Sequence, residues 1–116
     1  MEPVAPTQVQ VGQPGCVCPD FHAAIELIGK RWTGAIVSAL TERPMRFGEL
    51  CKAVPGLSDR LLSQRLRELE EEGLVEREVE AGTPVRVTYS LTEVGCGLGP
   101  ALSELKTWAK QWKRAG

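Results

Sequence analysis

The run SDRLLSQRLRELEEEGLVEREVEAGTPVRVTYSL, residues 58–91, changes its period halfway along, and that change decides the fold. In the first half Leu62, Leu66 and Leu69 recur at helical spacing, with Leu57 and Leu61 beside them, and Ser58 is a good cap residue. Gly73 stands where such a helix should end, because glycine enters the left-handed backbone of a C-terminal cap at little cost. In the second half Leu74, Val75, Arg77 and Val79 lead into Ala81-Gly82-Thr83-Pro84, after which Val85, Val87, Tyr89 and Leu91 alternate. A period of two on both sides of a Gly-containing turn predicts a β-hairpin.

Working upstream, Phe47, Leu50, Cys51 and Val54 fall at i, i+3, i+4 and i+7, which predicts a short helix from Arg46 to Ala53. Val54-Pro55-Gly56-Leu57 then joins it to the longer helix, a pair of helix-turn-helix size. Before it, Trp32 to Thr41 is apolar nearly all round and is expected to be central and buried, with Pro44 closing it. A first helix is expected to open at Cys18-Pro19-Asp20 and end at Gly29, with Ala24, Ile25, Leu27 and Ile28 on its apolar side. Downstream, Thr92-x-x-Gly95 opens a last helix striped by Leu98, Leu102, Leu105, Trp108 and Trp112, and Pro100 should kink it or mark its true start. A hairpin directly after a helix-turn-helix is a wing. The fold class is therefore mainly α with a small β-hairpin wing, a winged helix-turn-helix.

Residues 1–15, with three prolines, three glutamines and no apolar period, read as a flexible tail, and 16–116 as one domain. At 116 residues, 42% hydrophobic and 25% charged, the chain has the composition of a single globular domain and not of a disordered one. No apolar run is long enough to span a bilayer, and the first residues lack the basic-then-apolar order of a signal peptide, so a cytoplasmic location and no membrane partner are expected. The net charge of −1 hides a blocked layout. Residues 28–67 carry eight Lys or Arg against three acids, +5, whereas residues 68–80 carry seven acids against Arg77, −6. Phosphate attraction depends on where charge sits, so this layout permits a nucleic-acid face.

If Leu62, Leu66 and Leu69 face the core, helical geometry turns Ser58, Asp59, Arg60, Ser63, Gln64 and Arg67 outward. Arg and Gln can each make two hydrogen bonds to a base edge in a major groove, and the two serines suit phosphates. Arg46 could add a phosphate contact together with the free N–H groups at the start of its helix. Arg86, beside the turn, is the natural wing-tip cation. Lys30 and Arg31 are weaker candidates. Asp59 departs from this pattern, since its charge repels phosphate. It could accept from a cytosine amine or orient Arg60. The alternative is an ordinary solvated helix face with Arg60 or Arg67 paired to nearby acids.

The four cysteines, Cys16, Cys18, Cys51 and Cys96, are expected to be reduced in a cytoplasm and not to form a disulfide framework, and their spacings lack the paired C-x-x-C pattern of a zinc ribbon. Cys18 precedes a predicted helix, whose positive end favours a thiolate. Cys16 could resolve it, although a Cys-x-Cys ring is strained and a disulfide between subunits is equally open. Cys51 reads as a small core residue and Cys96 as packing. A metal site from Cys16, Cys18 and His22 has an unusual spacing, so no metal and no cofactor are expected, and His22 reads as exposed.

The residues now carry a resemblance. Cys18-Pro19 through Ile28-Gly29-Lys30-Arg31-Trp32, Arg46-Phe47-Gly48-Glu49-Leu50, and Pro55-Gly56-Leu57-Ser58 resemble the HxlR-type branch of the MarR-like winged-helix regulators. So do Leu62 with Leu66-Arg67-Glu68-Leu69-Glu70-Glu71-Glu72-Gly73-Leu74-Val75, Tyr89-Ser90-Leu91-Thr92-Glu93-x-Gly95, and Leu98-x-Pro100-x-Leu102 with Trp108. Together they cover about residues 18–112 in order. The resemblance implies a homodimer through the terminal helices that binds a double-stranded DNA operator as a transcription regulator, most often a repressor. It also implies that Cys18 occupies the place of a thiol responsive to an oxidant, quinone or aldehyde. On the residues themselves, the end of the last helix is longer than one small domain needs to cover its core, so Leu98, Leu102, Leu105, Trp108 and Trp112 are expected at the dimer interface and the operator is expected to be an inverted repeat. A winged-helix protein-interaction module without DNA binding is the competing reading. An enzyme is not expected, since a single histidine, no Gly-rich phosphate loop and no paired carboxylates stand against it.

Overall fold

A computed structural model of the chain describes residues 18–115. It divides into two compact units at Arg31–Trp32. The described part of the first is the helix α1, Pro19–Ile28, with Pro19 at its first position and Gly29 at its C-terminal cap, as the sequence predicts. None of its residues is buried, and Phe21 and Ile25 are exposed.

The second unit runs α2 (Thr33–Glu42), β1 (Met45–Arg46), α3 (Phe47–Ala53), α4 (Asp59–Glu71), β2 (Val75–Glu80), β3 (Arg86–Leu91), α5 (Glu93–Cys96) and α6 (Gly99–Ala115). Its three-stranded antiparallel sheet has the order β1-β3-β2. The helices α3 and α4 with the β2–β3 hairpin form the expected winged helix-turn-helix. The short strand β1 is an addition, and Arg46 belongs to it instead of opening α3. Two residues carry no periodicity, so only pairing with β3 (Met45 opposite Tyr89, Arg46 opposite Thr88) defines the strand.

Twelve apolar residues form one core, with Leu62, Leu66 and Leu69 of α4 at 1% exposure or less against Ile36, Val37 and Leu40 of α2 and Leu50 of α3. Burying each such side chain stabilises by about 1.5–3 kcal/mol before the entropy of ordering it. The helix α2 is central as predicted, but not buried all round, since Ala35 is exposed. The hairpin alternation buries only its base. Val75 is covered, while Val79 and Val85 stand exposed where the wing leaves the body.

Gly73 ends α4 as predicted, at φ +80°, with the Leu74 N–H donating to the Leu69 carbonyl and the Gly73 N–H to that of Glu70, both at 3.0 Å. That pair of bonds is a Schellman cap. The Thr92-x-x-Gly95 motif does more than start a helix. Thr92 Oγ1 accepts from the Gly95 N–H at 3.1 Å and donates to the Gly73 carbonyl at 2.6 Å, and the Thr92 N–H donates to the Leu74 carbonyl at 2.9 Å. A side chain at buried Gly95 would collide with that same Leu74 carbonyl. Threonine and glycine thus clamp the end of the hairpin to the end of α4. Pro100 marks a true start: the expected last helix is two, α5 and α6. No helix among the described residues is long and apolar enough to cross a membrane.

Candidate nucleic-acid interface

The helix α4 presents the predicted outward face because its leucine stripe is fully spent on the core. Arg60, Gln64 and Arg67 are exposed and Ser63 is half-buried. Among the described residues no ion pair engages Arg60, Arg67, Arg46 or Arg86. The helix is held at its start by Ser58, whose Oγ accepts from the Leu61 N–H at 3.1 Å, which leaves the hydroxyl proton available as a donor.

Asp59 does not orient Arg60. Its Oδ1 accepts from the Cys51 thiol at 3.3 Å, not from Arg60. Cys51 is half-buried against the core, near its expected setting, and burial pushes its thiol up, with the adjacent Asp59 adding to that. The acidic end of α4 is partly neutralised from within. Arg65 reaches both carboxylate oxygens of Glu68 at 3.2 Å, and Gln64 Nε2 makes a longer 3.4 Å bond to the same group.

At the α3 N-terminus one of the N–H groups expected to be free is engaged from within the helix. The Arg46 N–H donates to Glu49 Oε1 at 2.9 Å, and Arg43 pairs with the other oxygen at 3.4 Å. The Arg46 N–H holds the Glu49 carboxyl below its usual range, with Arg43 reinforcing it against slight desolvation.

The strand register sorts the other candidates. Residues directly opposite in an antiparallel pair share a face. Met45, Tyr89 and Arg77 therefore lie on one face of the sheet, and Arg46, Thr88 and Glu78 on the other. Arg86 opposes Glu80 on that second face, in company with Glu76 and Glu78, so the wing-tip cation sits among acids. The first face turns to α4. There Ser63, Arg67 and Glu70 of the helix and Arg77 and Tyr89 of the strands line a polar notch of about 280 Å³. Arg77 Nε lies 3.8 Å from Glu70 Oε1. Burial, then the Glu70 charge, raises the Tyr89 phenol, opposed by Arg77 and Arg67. Sequence reasoning missed Arg77 and Tyr89, because each looked like a step in the strand alternation. The signal available was that positions 63, 67 and 70 share a helix stripe that the wing must flank.

Of the expected interface stripe, Leu102 is 7% exposed and Leu98 is packed against the core, so Leu102 serves the chain itself. Leu105, Trp108 and Trp112 are 50%, 54% and 58% exposed, and the two indoles stack with centroids 5.4 Å apart. An apolar groove of about 270 Å³ runs between α2 and α6, past Ala35, Leu105 and Ala109. Cys18 is exposed just before α1, and His22 is exposed on it. Cys96 is exposed, which corrects the packing role expected of it, and the buried residue there is its neighbour Gly95. Cys16, and with it the Cys16–Cys18 pairing, lies outside the described residues.

The family model for the HxlR-like helix-turn-helix matches residues 27–116. A relative in Bacillus subtilis, the uncharacterized HTH-type transcriptional regulator YvaP, is 48% identical over 96 residues, 83% of this chain and 89% of YvaP. The reduced form of the B. subtilis transcriptional regulator YodB superposes with a TM-score of 0.78 at 42% identity, covering 86% of this chain and 98% of YodB. Quinone-bound YodB superposes at 0.72 with 40% identity, covering 82% and 99%.

Proposed function

The chain belongs to the HxlR-like helix-turn-helix family of transcriptional regulators, and from that premise we propose that it binds a double-stranded DNA operator, an inverted repeat, as a homodimer and represses transcription there. One observation carries the reading. Arg60, Gln64 and Arg67 stand exposed on the face of α4 opposite its buried leucines, with the charges of both arginines unpaired and a wing at the side. An interaction module has no need of that face. Ser58, Ser63 and the Arg46 side chain add phosphate donors, and Arg86 contributes less because Glu80 opposes it. Dimerisation through the terminal helices is supported by the uncovered Leu105, Trp108 and Trp112, a contiguous apolar surface that a monomer would leave in water.

Selection of DNA fragments retained at moderate salt tests this. The expected product is an inverted repeat with half-sites about one helical turn apart or a multiple of it. On that site Arg67→Ala or Gln64→Ala should cost about 1–3 kcal/mol and relax sequence preference. Equal retention of all fragments by wild type and an Arg60/Arg67 double variant leaves the interaction-module reading in its place.

The input is an oxidant or electrophile at Cys18. Support comes from its exposure ahead of α1 and from the quinone-bound state of YodB. Diamide or a quinone, titrated into wild type and Cys18→Ser while operator binding is followed, should alter only the wild type, reversibly with dithiothreitol after diamide. An equal response from both places the switch elsewhere.

A further inference from the structure

The notch between α4 and the wing has a makeup that the base-reading face does not explain. Ser63 and Arg67 sit one helical turn apart on α4, and Arg77 and Tyr89 are directly opposed on β2 and β3, so four donor side chains from three elements converge. Its charged groups are Arg67, Arg77 and Glu70, a surplus of one positive charge. Glu70 stands nearest Arg77, at 3.8 Å, and so steers that guanidinium while Arg67 keeps its charge unpaired. The Tyr89 hydroxyl stays protonated at neutral pH, since burial and Glu70 both favour the neutral phenol.

We infer that Ser63, Arg67, Arg77 and Tyr89 form a seat for one backbone phosphate of a bound duplex, at the junction of the recognition helix and the wing. The inference rests on the DNA-binding reading and deepens it. A single diester oxygen pair is a planar double acceptor, matched by two guanidinium groups and a phenol, whereas a base edge offers no such charge. Arg77 and Tyr89 fix how α4 lies in its groove without reading sequence, while Arg67, at the edge of the seat, divides its five donors between the phosphate and the neighbouring base. It also gives Arg77 a role although it sits in the most acidic stretch of the chain.

The experiment compares wild type, Tyr89→Phe, Arg77→Ala and Glu70→Gln on the best selected duplex and on an unrelated duplex of equal length, across a salt series. Tyr89→Phe keeps the ring and hence the packing, so it guards against a folding failure of Arg77→Ala. Tyr89→Phe should lose about tenfold on both duplexes alike, the scale of a hydrogen bond to a charged group. Arg77→Ala should lose at least as much and lower the salt slope by about one, while Glu70→Gln should bind more tightly. Replacing single phosphates by neutral methylphosphonates should weaken wild type at several linkages per half-site, and at one of them the loss should be smaller in Tyr89→Phe and smallest in Arg77→Ala. Unchanged affinity and salt slope in both Tyr89→Phe and Arg77→Ala overturn the seat while leaving DNA binding intact. If inorganic phosphate binds wild type without DNA and the substitutions abolish only that binding, the notch serves a free anion and the seat is again overturned. A wild type that retains no duplex removes the DNA-binding reading itself and the seat with it.

Discussion

The helices α4 and α6 carry the same kind of stripe and meet opposite fates. Leu62, Leu66 and Leu69 of α4 are at most 1% exposed, whereas Leu105, Trp108 and Trp112 of α6 are at least half exposed. Both patterns have the period of an amphipathic helix, so periodicity identifies the apolar face and says nothing of what covers it. In α4 the cover is the chain's own core, drawn from α2, α3 and Val75 of β2. In α6 only Leu102, with Leu98 just ahead of the helix, joins the core, and the rest of a helix of about 25 Å leaves Leu105, Trp108 and Trp112 uncovered.

The largest effect of a single substitution is expected in α4. Leu66→Ala should destabilise the domain by about 2–5 kcal/mol, read by urea unfolding, because it empties space that the surrounding helices cannot refill. A cost below about 1 kcal/mol would mean that the α4 stripe is not the centre of the core.

The clamp joining the two halves comes next. Gly95→Ala puts a methyl against the Leu74 carbonyl, backbone that is itself held by Thr92, and should cost about 1–3 kcal/mol. Glycine's freedom matters here for space and not for dihedral angle. If Gly95→Ala unfolds at the wild-type urea midpoint, the α4–hairpin end is looser than the three Thr92 bonds imply.

Paired with Leu66→Ala, a Trp108→Ser/Trp112→Ser double variant sharpens the contrast. It should change the fold stability of the isolated subunit by no more than about 0.5 kcal/mol, the scale for exposed positions, yet abolish dimers in sedimentation at micromolar concentration. An unaltered dimer would show that the exposed indoles face something else.

The smallest effect separates the caps of the two helices that make the helix-turn-helix. Ser58 caps α4 with a neutral hydroxyl and Glu49 caps α3 with a carboxylate held below its usual range. A group whose folded pKa is depressed contributes above the unfolded value and loses that contribution as pH falls through the folded one. Between about pH 6 and pH 3 the thermal midpoint of wild type should therefore fall slightly more than that of Glu49→Gln. Ser58→Ala should show no such difference in slope. Parallel curves for Glu49→Gln and wild type would remove the carboxylate from the cap.

The candidate site was legible to the extent that it lay on one helix. Ser58, Arg60, Gln64 and Arg67 follow from the stripe opposite them, since helical geometry relates residues a few positions apart. Arg77 and Tyr89 could not be placed beside Ser63 and Arg67 without the packing of the wing on α4, nor could the acids facing Arg86 be weighed without the strand register. Asp59 looked like a misplaced charge until Cys51, eight residues earlier, was found donating to it.

By itself the sequence determined the kinds and order of the main helices and the hairpin, with their caps at Ser58, Gly73 and Thr92. Those features come from interactions within a turn or a pair of strands, which a linear pattern records. The tertiary structure alone decided that Met45 and Arg46 form a strand, and that Thr92 and Gly95 lock the hairpin to α4. It decided also which half of the α6 stripe is left to water. Each of these depends on residues far apart in the chain being brought to contact, and no local period encodes which distant surface will arrive to pay for ordering them.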